Sequence, residues 1–332
     1  MLKECLQSRL YIAVLTTEEY NEPVKIYTEI ENNTEISSLL DKWKSENIKK
    51  IAVDFEGEFN LHCYGEHLCL IQIFDSNKFY LIDPLKVQKS VISALLENKE
   101  IEKLWFSVSS DAALVWKKYG IKICNVRDLA LEAKILGIEG GLSAICKKII
   151  PDYKEDSTNT KKHNQKTNWM HRPLSPLQID YALSDVEYLF MLQERLDKIA
   201  EMQDKKKETE SALKKEVHVN ENPIPGYKKL PGYKRLSREQ KIYIKHFYFA
   251  REKTAETLDK PPFMVLDKHI LTKLAVKAPQ DKPVLAVEIR NKNKKTEKLL
   301  LKALLEAGKE AEEEIKGLNS TRQGKHSLQQ DR

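Results

Sequence analysis

The sequence predicts an α/β fold, in which a mixed β-sheet is flanked by helices, with a second, smaller all-α domain. Three observations predict it. Short apolar, β-prone runs dominate residues 50–82, strand-like and helix-like segments alternate from 88 to 200, and the pattern after 229 is helical throughout. With 332 residues, 41% of them hydrophobic, the chain is long and apolar enough for two domains with separate cores.

Four segments have the length and composition of strands. They are 50–54 (KIAVD), 68–74 (LCLIQIF), 79–82 (FYLI) and 103–107 (KLWFS). Helical periodicity marks the segments that alternate with them or follow them: 88–98, 110–119, 128–136 and 175–200. Strands that come first and then alternate with helices are typical of helices packed on a mixed sheet.

A change in composition separates the two predicted domains. Residues 201–222 are mostly charged and polar, and prolines and glycines punctuate 223–232. Ser237 and Asp267 are then placed to cap helices, and a third helical stretch covers 294–315. We predict four segments: a first domain at 1–205, a linker at 206–228, a helical domain at 229–316 and a disordered tail at 317–332.

Composition also excludes several classes of protein. No segment approaches the about 20 apolar residues of a membrane-spanning helix, and the N-terminus lacks a cleavage site, so we predict a cytoplasmic protein without membrane contact. The five cysteines show neither CxxC spacing nor Cys/His ligand spacing. This argues against a disulfide framework and a zinc site, so any metal should be held by oxygen ligands.

The net charge of +6 is distributed unevenly along the chain. Residues 201–332 carry 30 Lys and Arg against 20 Asp and Glu, whereas residues 1–200 carry 26 against 30. An acidic first part suits a unit that concentrates carboxylates, and a basic second part suits a module that binds polyanions. The alternative is an ordinary lysine-rich, solvated surface.

Two acids end the first predicted strand. Asp54 and Glu56 are two residues apart, so a strand places both side chains on one face, where their oxygens can converge on a cation such as Mg²⁺. Glu58 shares this alternation, so spacing alone does not fix the second ligand. Taken alone, two acids at a strand end are more often solvated than catalytic.

Further candidates lie at the start of one helix and along another. Asp111 opens a predicted helix, where the helix dipole also favours an acid for purely structural reasons. Tyr181 and Asp185 are four residues apart and therefore share a helix face, although an ordinary amphipathic helix has the same pattern. Each signal is weak separately, and their order along the chain is what makes them specific.

In chain order these residues resemble the motifs of the DEDD superfamily of 3′→5′ exonucleases, in the subgroup whose third motif is Tyr-x-x-x-Asp. VDFEGEF, LCLIQIFD and YLIDPL resemble the first sheet of the ribonuclease D family. Asp111-x-x-Leu114 and Tyr119-Gly120-Ile121 resemble its second motif, and the stretch from Asn168 to Leu189 resembles its third. The resemblance covers most of residues 10–200.

The resemblance implies a ribonuclease H-like fold and an enzyme that removes nucleotides from 3′ ends as nucleoside 5′-monophosphates. It implies two divalent cations, Mg²⁺ or Mn²⁺, with Tyr181 orienting the attacking water. The implied ligands are Asp54, Glu56, Asp111 and Asp185. The implied substrate is RNA with a free 3′ end, and the family expectation is a transfer RNA precursor.

Four residues are predicted to contact nucleic acid. Residues 236–279 resemble the helical, HRDC-like domain at the C-terminus of ribonuclease D and of some helicases, and Lys228 and Lys229 precede it as candidate phosphate contacts. Trp169 is a candidate for stacking on a terminal base, with a packing role as the alternative. Arg172 is a candidate phosphate contact, with anchoring of its own loop as the alternative.

Three rival functions are compatible with parts of this pattern. A DNA exonuclease would use the same acids, and no motif here recognises a 2′-hydroxyl. An inactive nucleic-acid-binding protein on the same fold would not need four acids and a tyrosine. The third rival is a helicase-associated interaction module. The sequence contains no GxxxxGK[ST] loop, which argues against this function.

Overall fold

The structure is a computed structural model. It describes residues 25–151, 153–154, 166–213, 217, 219–221, 223–279, 282–290 and 293–330. The chain forms two compact units. The first comprises Met1–Glu58 and Glu66–Asn220, and the second comprises Phe59–Gly65 and Glu221–Arg332.

In the described part of the chain, six strands form one sheet. They are β1 (Tyr27–Ile30), β2 (Lys50–Phe59), β3 (Glu66–Phe74), β4 (Phe79–Ile82), β5 (Glu102–Trp105) and β6 (Val126–Asp128). Their order across the sheet is β1-β4-β3-β2-β5-β6. β1 pairs with β4, β2 with β5, and β5 with β6 in parallel, whereas β3 and β4 are antiparallel. The predicted mixed sheet is therefore confirmed.

The described residues of the first unit form eight helices that flank this sheet. They are α1 (Asn33–Ser45), α2 (Lys89–Leu96), α3 (Ser109–Tyr119), α4 (Leu129–Ile135), α5 (Leu142–Ile149), α6 (Pro176–Glu187), α7 (Leu189–Met202) and α8 (Lys206–Leu213). Four of these elements, β1, α1, β6 and α5, are absent from the elements predicted from the sequence. The helix predicted at 175–200 is two helices, because the chain leaves helical hydrogen bonding at Tyr188. Part of the predicted linker is also helical, as α8 lies within 206–228.

The two faces of the sheet pack against different helices. Ile51, Val53 and Phe55 of β2 belong to a buried cluster that includes side chains of α1, α2 and α3. Ala52, on the alternate face of the same strand, belongs to a second cluster with side chains of α4, α5 and α7. The period-2 alternation of strands therefore sets the direction of every β2 side chain, including the acids that follow.

A lysine is buried among the turns that precede β5 and β6. Lys103 has no exposed surface, and burial lowers its pKa to about 8. Its ammonium donates hydrogen bonds to three backbone carbonyls, those of Asn98 at 2.6 Å, Ile101 at 2.9 Å and Cys124 at 2.9 Å. All three N–H groups of the ammonium are thus satisfied inside the protein.

The second unit is helical. Two 3-10 turns (Gly226–Lys229 and Tyr233–Arg235) precede α9 (Arg238–Thr257), α10 (Pro262–Val265), α11 (Lys268–Val276), α12 (Lys282–Glu288) and α13 (Lys294–Gln330). The predicted caps are confirmed, because Ser237 forms a capping box with Gln240 and Asp267 accepts from the His269 N–H.

The C-terminal helix differs from the prediction. We predicted helix to about 315 and a disordered tail at 317–332, whereas α13 continues to Gln330. Ile315 and Leu318 pack against the buried cluster of the second unit, and no proline follows to end the helix. Residues 331–332 lie outside the described residues. Every helix in the described part of the chain is too short or too polar to span a bilayer.

Candidate active site

Strand β2 presents two acids on one face, as predicted. Asp54 and Glu56 alternate with Val53 and Phe55, whose side chains are buried in the core on the opposite face. Both acids are only partly exposed. The strand thus directs two carboxylates to the face on which Ala52 meets the second cluster.

A third carboxylate comes from helix α6. Carboxylate oxygens of Asp54, Glu56 and Asp185 all lie within 4.8 Å of one another. Glu58, which the alternation also allowed, is 2% exposed and is not a member of this group in the described residues. The structure therefore selects Glu56 rather than Glu58 as the partner of Asp54.

The fourth predicted acid lies in the first turn of α3. Asp111 accepts a hydrogen bond on Oδ2 from the indole Nε1 of Trp105, at 2.8 Å. Burial raises the pKa of Asp111 to about 7, the Trp105 hydrogen bond opposes this rise, and the charge of Asp128 adds to it. Asp111 is close enough to the other acids to affect their ionisation.

The carboxylates raise one another's pKa. The pKa of Asp54 lies well above its ordinary value, first because the group is enclosed by protein. The charges of Asp111, Asp185 and Glu56 add to this rise, in that order. The pKa of Glu56 is also raised well above its ordinary value, first by burial and then by the charges of Asp185 and Asp111. Four acids from three distant segments therefore form one electrostatic group.

Asp128 holds the turn that leads into α3. Its Oδ1 accepts from the N–H of Ser107 at 2.9 Å, and its Oδ2 accepts from the N–H of Val108 at 3.2 Å. Ser107 has a φ of 68°, in the left-handed region that is costly for a residue with a side chain. The side chain of Asp128, at the N-terminus of α4, thus fixes an unfavourable turn four residues before Asp111.

Gln72 supports the central acid from the neighbouring strand. This residue of β3 is fully buried, and its Nε2 donates to Oδ2 of Asp54 at 3.3 Å. Its Oε1 is buried without a hydrogen-bond partner among the described residues. Neither this contact nor that of Trp105 follows from residue spacing, so neither is predictable from the sequence pattern.

Tyr181 lies one helical turn before Asp185 on α6, which confirms that the two share a face. The side chain is 8% exposed, and its ring lies 6.2 Å from the ring of Trp169, centroid to centroid. Trp169 is 1% exposed, so its faces are not available to a base in this structure. The geometry favours the packing role for Trp169 over the predicted stacking role.

Arg172 anchors its own segment to the sheet. Its guanidinium forms a two-pronged ion pair with Asp83, through Nε at 2.8 Å and a terminal nitrogen at 3.1 Å. The same side chain donates to the carbonyls of Cys69 at 2.6 Å and Trp169 at 2.7 Å. These bonds occupy the guanidinium, which favours the anchoring role over the predicted phosphate contact.

Lys228 and Lys229 lie in the second unit, in the first 3-10 turn, and both are exposed. The ammonium of Lys228 is 6.0 Å from the ring centroid of Tyr227. Tyr227 in turn lies 5.9 Å from the ring of Phe249, which is 53% exposed. The two lysines are thus next to an aromatic surface within their own unit.

The acidic group has the donor chemistry of a divalent cation site. Clustered carboxylate oxygens are ligands for hard cations such as Mg²⁺ and Mn²⁺. Burial and the neighbouring negative charges raise the pKa of Asp54 and of Glu56, and a bound cation would offset both effects. Asp54, Glu56 and Asp185 are therefore able to hold a metal, with Asp111 beside them.

Comparison with known proteins was made on the sequence and on the fold. The profile of a family described as 3'-5' exonuclease matches residues 27–201, just over half of the chain. Ribonuclease D of Haemophilus influenzae is 34% identical over 152 residues, which cover 45% of this chain and 37% of that protein. Exosome complex exonuclease RRP6 of Saccharomyces cerevisiae is 24% identical over 287 residues, which cover 80% and 38%. The chain thus spans about four-tenths of the length of these relatives.

Solved structures share the fold. Escherichia coli RNase D, an exoribonuclease involved in structured RNA processing, superposes with a TM-score of 0.66 at 21% identity, over 86% of this chain and 75% of that one. The catalytic core of RRP6 from Trypanosoma brucei gives a TM-score of 0.66 at 20% identity, over 91% and 82%. At these identities the likeness concerns the fold alone.

Proposed function

Because the chain belongs to the 3′-5′ exonuclease family, we propose that it is a metal-dependent 3′→5′ exoribonuclease of the ribonuclease D type. The observation that carries the proposal is the convergence of Asp54, Glu56 and Asp185 within 4.8 Å. These acids lie inside the matched residues 27–201. The rival function, an inactive nucleic-acid-binding protein, does not account for this group of acids, because burial makes their ionised forms costly.

Each residue of the group has a proposed role. Asp54, Glu56 and Asp185 would hold two divalent cations, Mg²⁺ or Mn²⁺, and Asp111 would contribute to the second. The chemistry that such cations supply is Lewis-acid activation of water and neutralisation of charge at the scissile phosphate. Tyr181 would orient the attacking water through its phenol, because it shares a helix face with Asp185.

We propose RNA with a free 3′ end as the substrate, and transfer RNA precursors as the natural case. Support comes from the curated relatives named ribonuclease D, of which the Haemophilus influenzae protein is 34% identical over 152 residues. The products would be nucleoside 5′-monophosphates. Water would attack the phosphorus of the last phosphodiester, and the bond from phosphorus to the 3′-oxygen would break. The shortened RNA would then carry the 3′-hydroxyl, and the released nucleotide would carry the phosphate.

Loss of activity on metal removal tests the proposal. The purified chain is incubated with 5′-labelled, 3′-extended transfer RNA and Mg²⁺ or Mn²⁺, and the products are resolved by length. We expect stepwise shortening from the 3′ end that EDTA abolishes and added Mn²⁺ restores. Stepwise shortening that persists in EDTA would contradict a role for the acidic group in holding metal.

Matched single-stranded RNA and DNA of one sequence, run beside the transfer RNA, decide the substrate class. Faster degradation of RNA supports the proposal, whereas preferential degradation of DNA replaces it with the rival DNA exonuclease. Absence of degradation of both, with Mn²⁺ bound, would support the inactive binding protein.

We further propose that the second unit binds the RNA backbone through Lys228 and Lys229, next to Tyr227 and Phe249. Replacing both lysines by alanine should weaken RNA binding and lower the slope of log affinity against log salt by about 1.4, at about 0.7 per phosphate contact on a single strand. Fluorescence anisotropy of the full chain over a range of NaCl concentrations measures this slope.

The matched control removes two other exposed lysines of the second unit, Lys298 and Lys302 of α13, which are also changed to alanine. This variant has the same net charge as the Lys228→Ala/Lys229→Ala variant. An equal loss of slope in both variants would show a general charge effect and would contradict a specific contact at 228 and 229.

A further inference from the structure

Trp105 connects two of the segments that carry the acids. It is the last residue of β5, has no exposed surface, and donates its indole N–H to Oδ2 of Asp111 at 2.8 Å. Its ring packs edge-on against Phe55, with the centroids 4.7 Å apart and the planes at 88°. Phe55 lies between Asp54 and Glu56 on β2. One side chain therefore contacts both the strand that carries two acids and the fourth acid itself.

An unusual turn in the backbone before α3 places Asp111 beside Trp105. The turn at Ser107 is left-handed and is held by Asp128, so α3 begins close to the end of β5. This brings the Asp111 carboxylate within hydrogen-bonding distance of the indole only six residues earlier. The bond uses one carboxylate oxygen, and the second oxygen can still act on a cation or on its water.

We propose that Trp105 is a positioning residue for Asp111, whose indole N–H orients that carboxylate for divalent cation binding. The inference rests on the proposed function of the acidic group. A hydrogen bond that fixes a carboxylate lowers the cost of ordering it when the cation binds, and partners outside the ligand shell commonly affect metal affinity in this way. Trp105 touches neither the substrate nor the cation.

The chain contains a matched control for this bond. Trp43 is also fully buried and donates its indole N–H to an aspartate, Oδ2 of Asp75, at 3.2 Å. Its ring also packs edge-on against an aromatic ring, that of Tyr80, with the centroids 5.6 Å apart. Asp75 is not a member of the acidic group in the described residues. Trp→Phe at 43 and at 105 therefore removes the same atoms from similar surroundings.

The test compares Mn²⁺ affinity by calorimetric titration of the full chain as wild type, Trp105→Phe and Trp43→Phe. We expect Trp105→Phe to weaken Mn²⁺ binding by about tenfold, the usual lower limit for loss of a partner outside the ligand shell, and Trp43→Phe to leave it unchanged. Both variants should lose thermal stability, since each loses a buried indole. In an Asp111→Asn background, Trp105→Phe should cause no further loss of affinity.

The outcomes separate this inference from the proposed function. If the wild type does not bind Mn²⁺, the proposed function fails and the inference fails with it. If the wild type binds and Trp105→Phe binds equally well, only the inference fails. Two other results would show a general loosening of the core and would also overturn the inference. One is an equal loss of Mn²⁺ affinity in Trp105→Phe and Trp43→Phe. The other is an undiminished effect of Trp105→Phe in the Asp111→Asn background.

A second measurement uses the wild-type side chain and does not depend on folding of the Trp105 variant. The chain has four tryptophans, and their indole N–H resonances are separately observable by NMR after ¹⁵N labelling. Titration with Mg²⁺ should shift the Trp105 indole resonance and leave that of Trp43 in place. Asp111→Asn and Trp43→Phe assign the two signals. A Trp105 resonance that does not respond to saturating Mg²⁺ overturns the inference.

Discussion

Asp185→Asn is expected to lower the turnover of 3′-extended RNA by on the order of 1,000-fold or more, while the fold stays intact. Loss of a partner outside the ligand shell costs up to about 100-fold, and a proposed ligand should cost more. Asparagine keeps the shape of the side chain but removes its negative charge. The carboxylate oxygen that it replaces lies within 4.8 Å of those of Asp54 and Glu56. Single-turnover rates in Mg²⁺ measure the change.

Asp180→Asn provides the control for this variant. Asp180 lies five residues earlier on α6, and its side chain is 58% exposed in an ion pair with Lys25. We expect wild-type turnover from Asp180→Asn, since exposed ion pairs contribute little. In EDTA the Asp185→Asn variant should melt no lower than the wild type, because the substitution relieves repulsion among the carboxylates. Wild-type turnover in Asp185→Asn would remove Asp185 from the proposed site.

The second large effect concerns pH and metal together. Without metal, the folded chain should lose stability as the pH rises from 5 to 8. The pKa of Asp111 is raised to about 7, and those of Asp54 and Glu56 are raised well above their ordinary values, so the folded state binds protons that the unfolded state releases near pH 4. Stability is therefore highest below the unfolded pKa and is lost as the pH rises through the folded pKa.

A divalent cation should reverse this trend. Cations and protons compete for the same oxygens, so Mn²⁺ affinity should rise by about tenfold per pH unit for each proton released. Melting temperatures at pH 5, 6, 7 and 8, each in EDTA and in Mn²⁺, measure the difference. We expect stabilisation by Mn²⁺ that is small at pH 5 and largest at pH 8. Glu56→Gln should flatten this dependence, whereas stabilisation independent of pH would contradict the raised pKa values.

The placement of these acids was predictable from the sequence where it depends on local periodicity. Two-residue alternation placed Asp54 and Glu56 on one face, and four-residue helical spacing placed Tyr181 beside Asp185. The same alternation could not separate Glu56 from Glu58. That choice depends on where α6 crosses the sheet, and the packing of segments more than a hundred residues apart in sequence decides it.

The contacts around the acids were less predictable. The Trp105 hydrogen bond depends on a left-handed turn at Ser107, which Asp128 holds from the end of the neighbouring strand β6. No local pattern in the sequence indicates such a turn at a serine. The residue types of Trp169 and Arg172 are compatible both with nucleic-acid contact and with structural roles, and tertiary contacts occupy both side chains.

The buried ammonium of Lys103 has a consequence for the tolerance of this position to mutation. Three carbonyls from two separate turns depend on one side chain that offers three hydrogens from a single point. Arginine presents its donors in a wider planar fork, and methionine and glutamine offer none or two. The geometry at position 103 therefore favours lysine over these other side chains. Sequence variation in this family should be low there for architectural reasons.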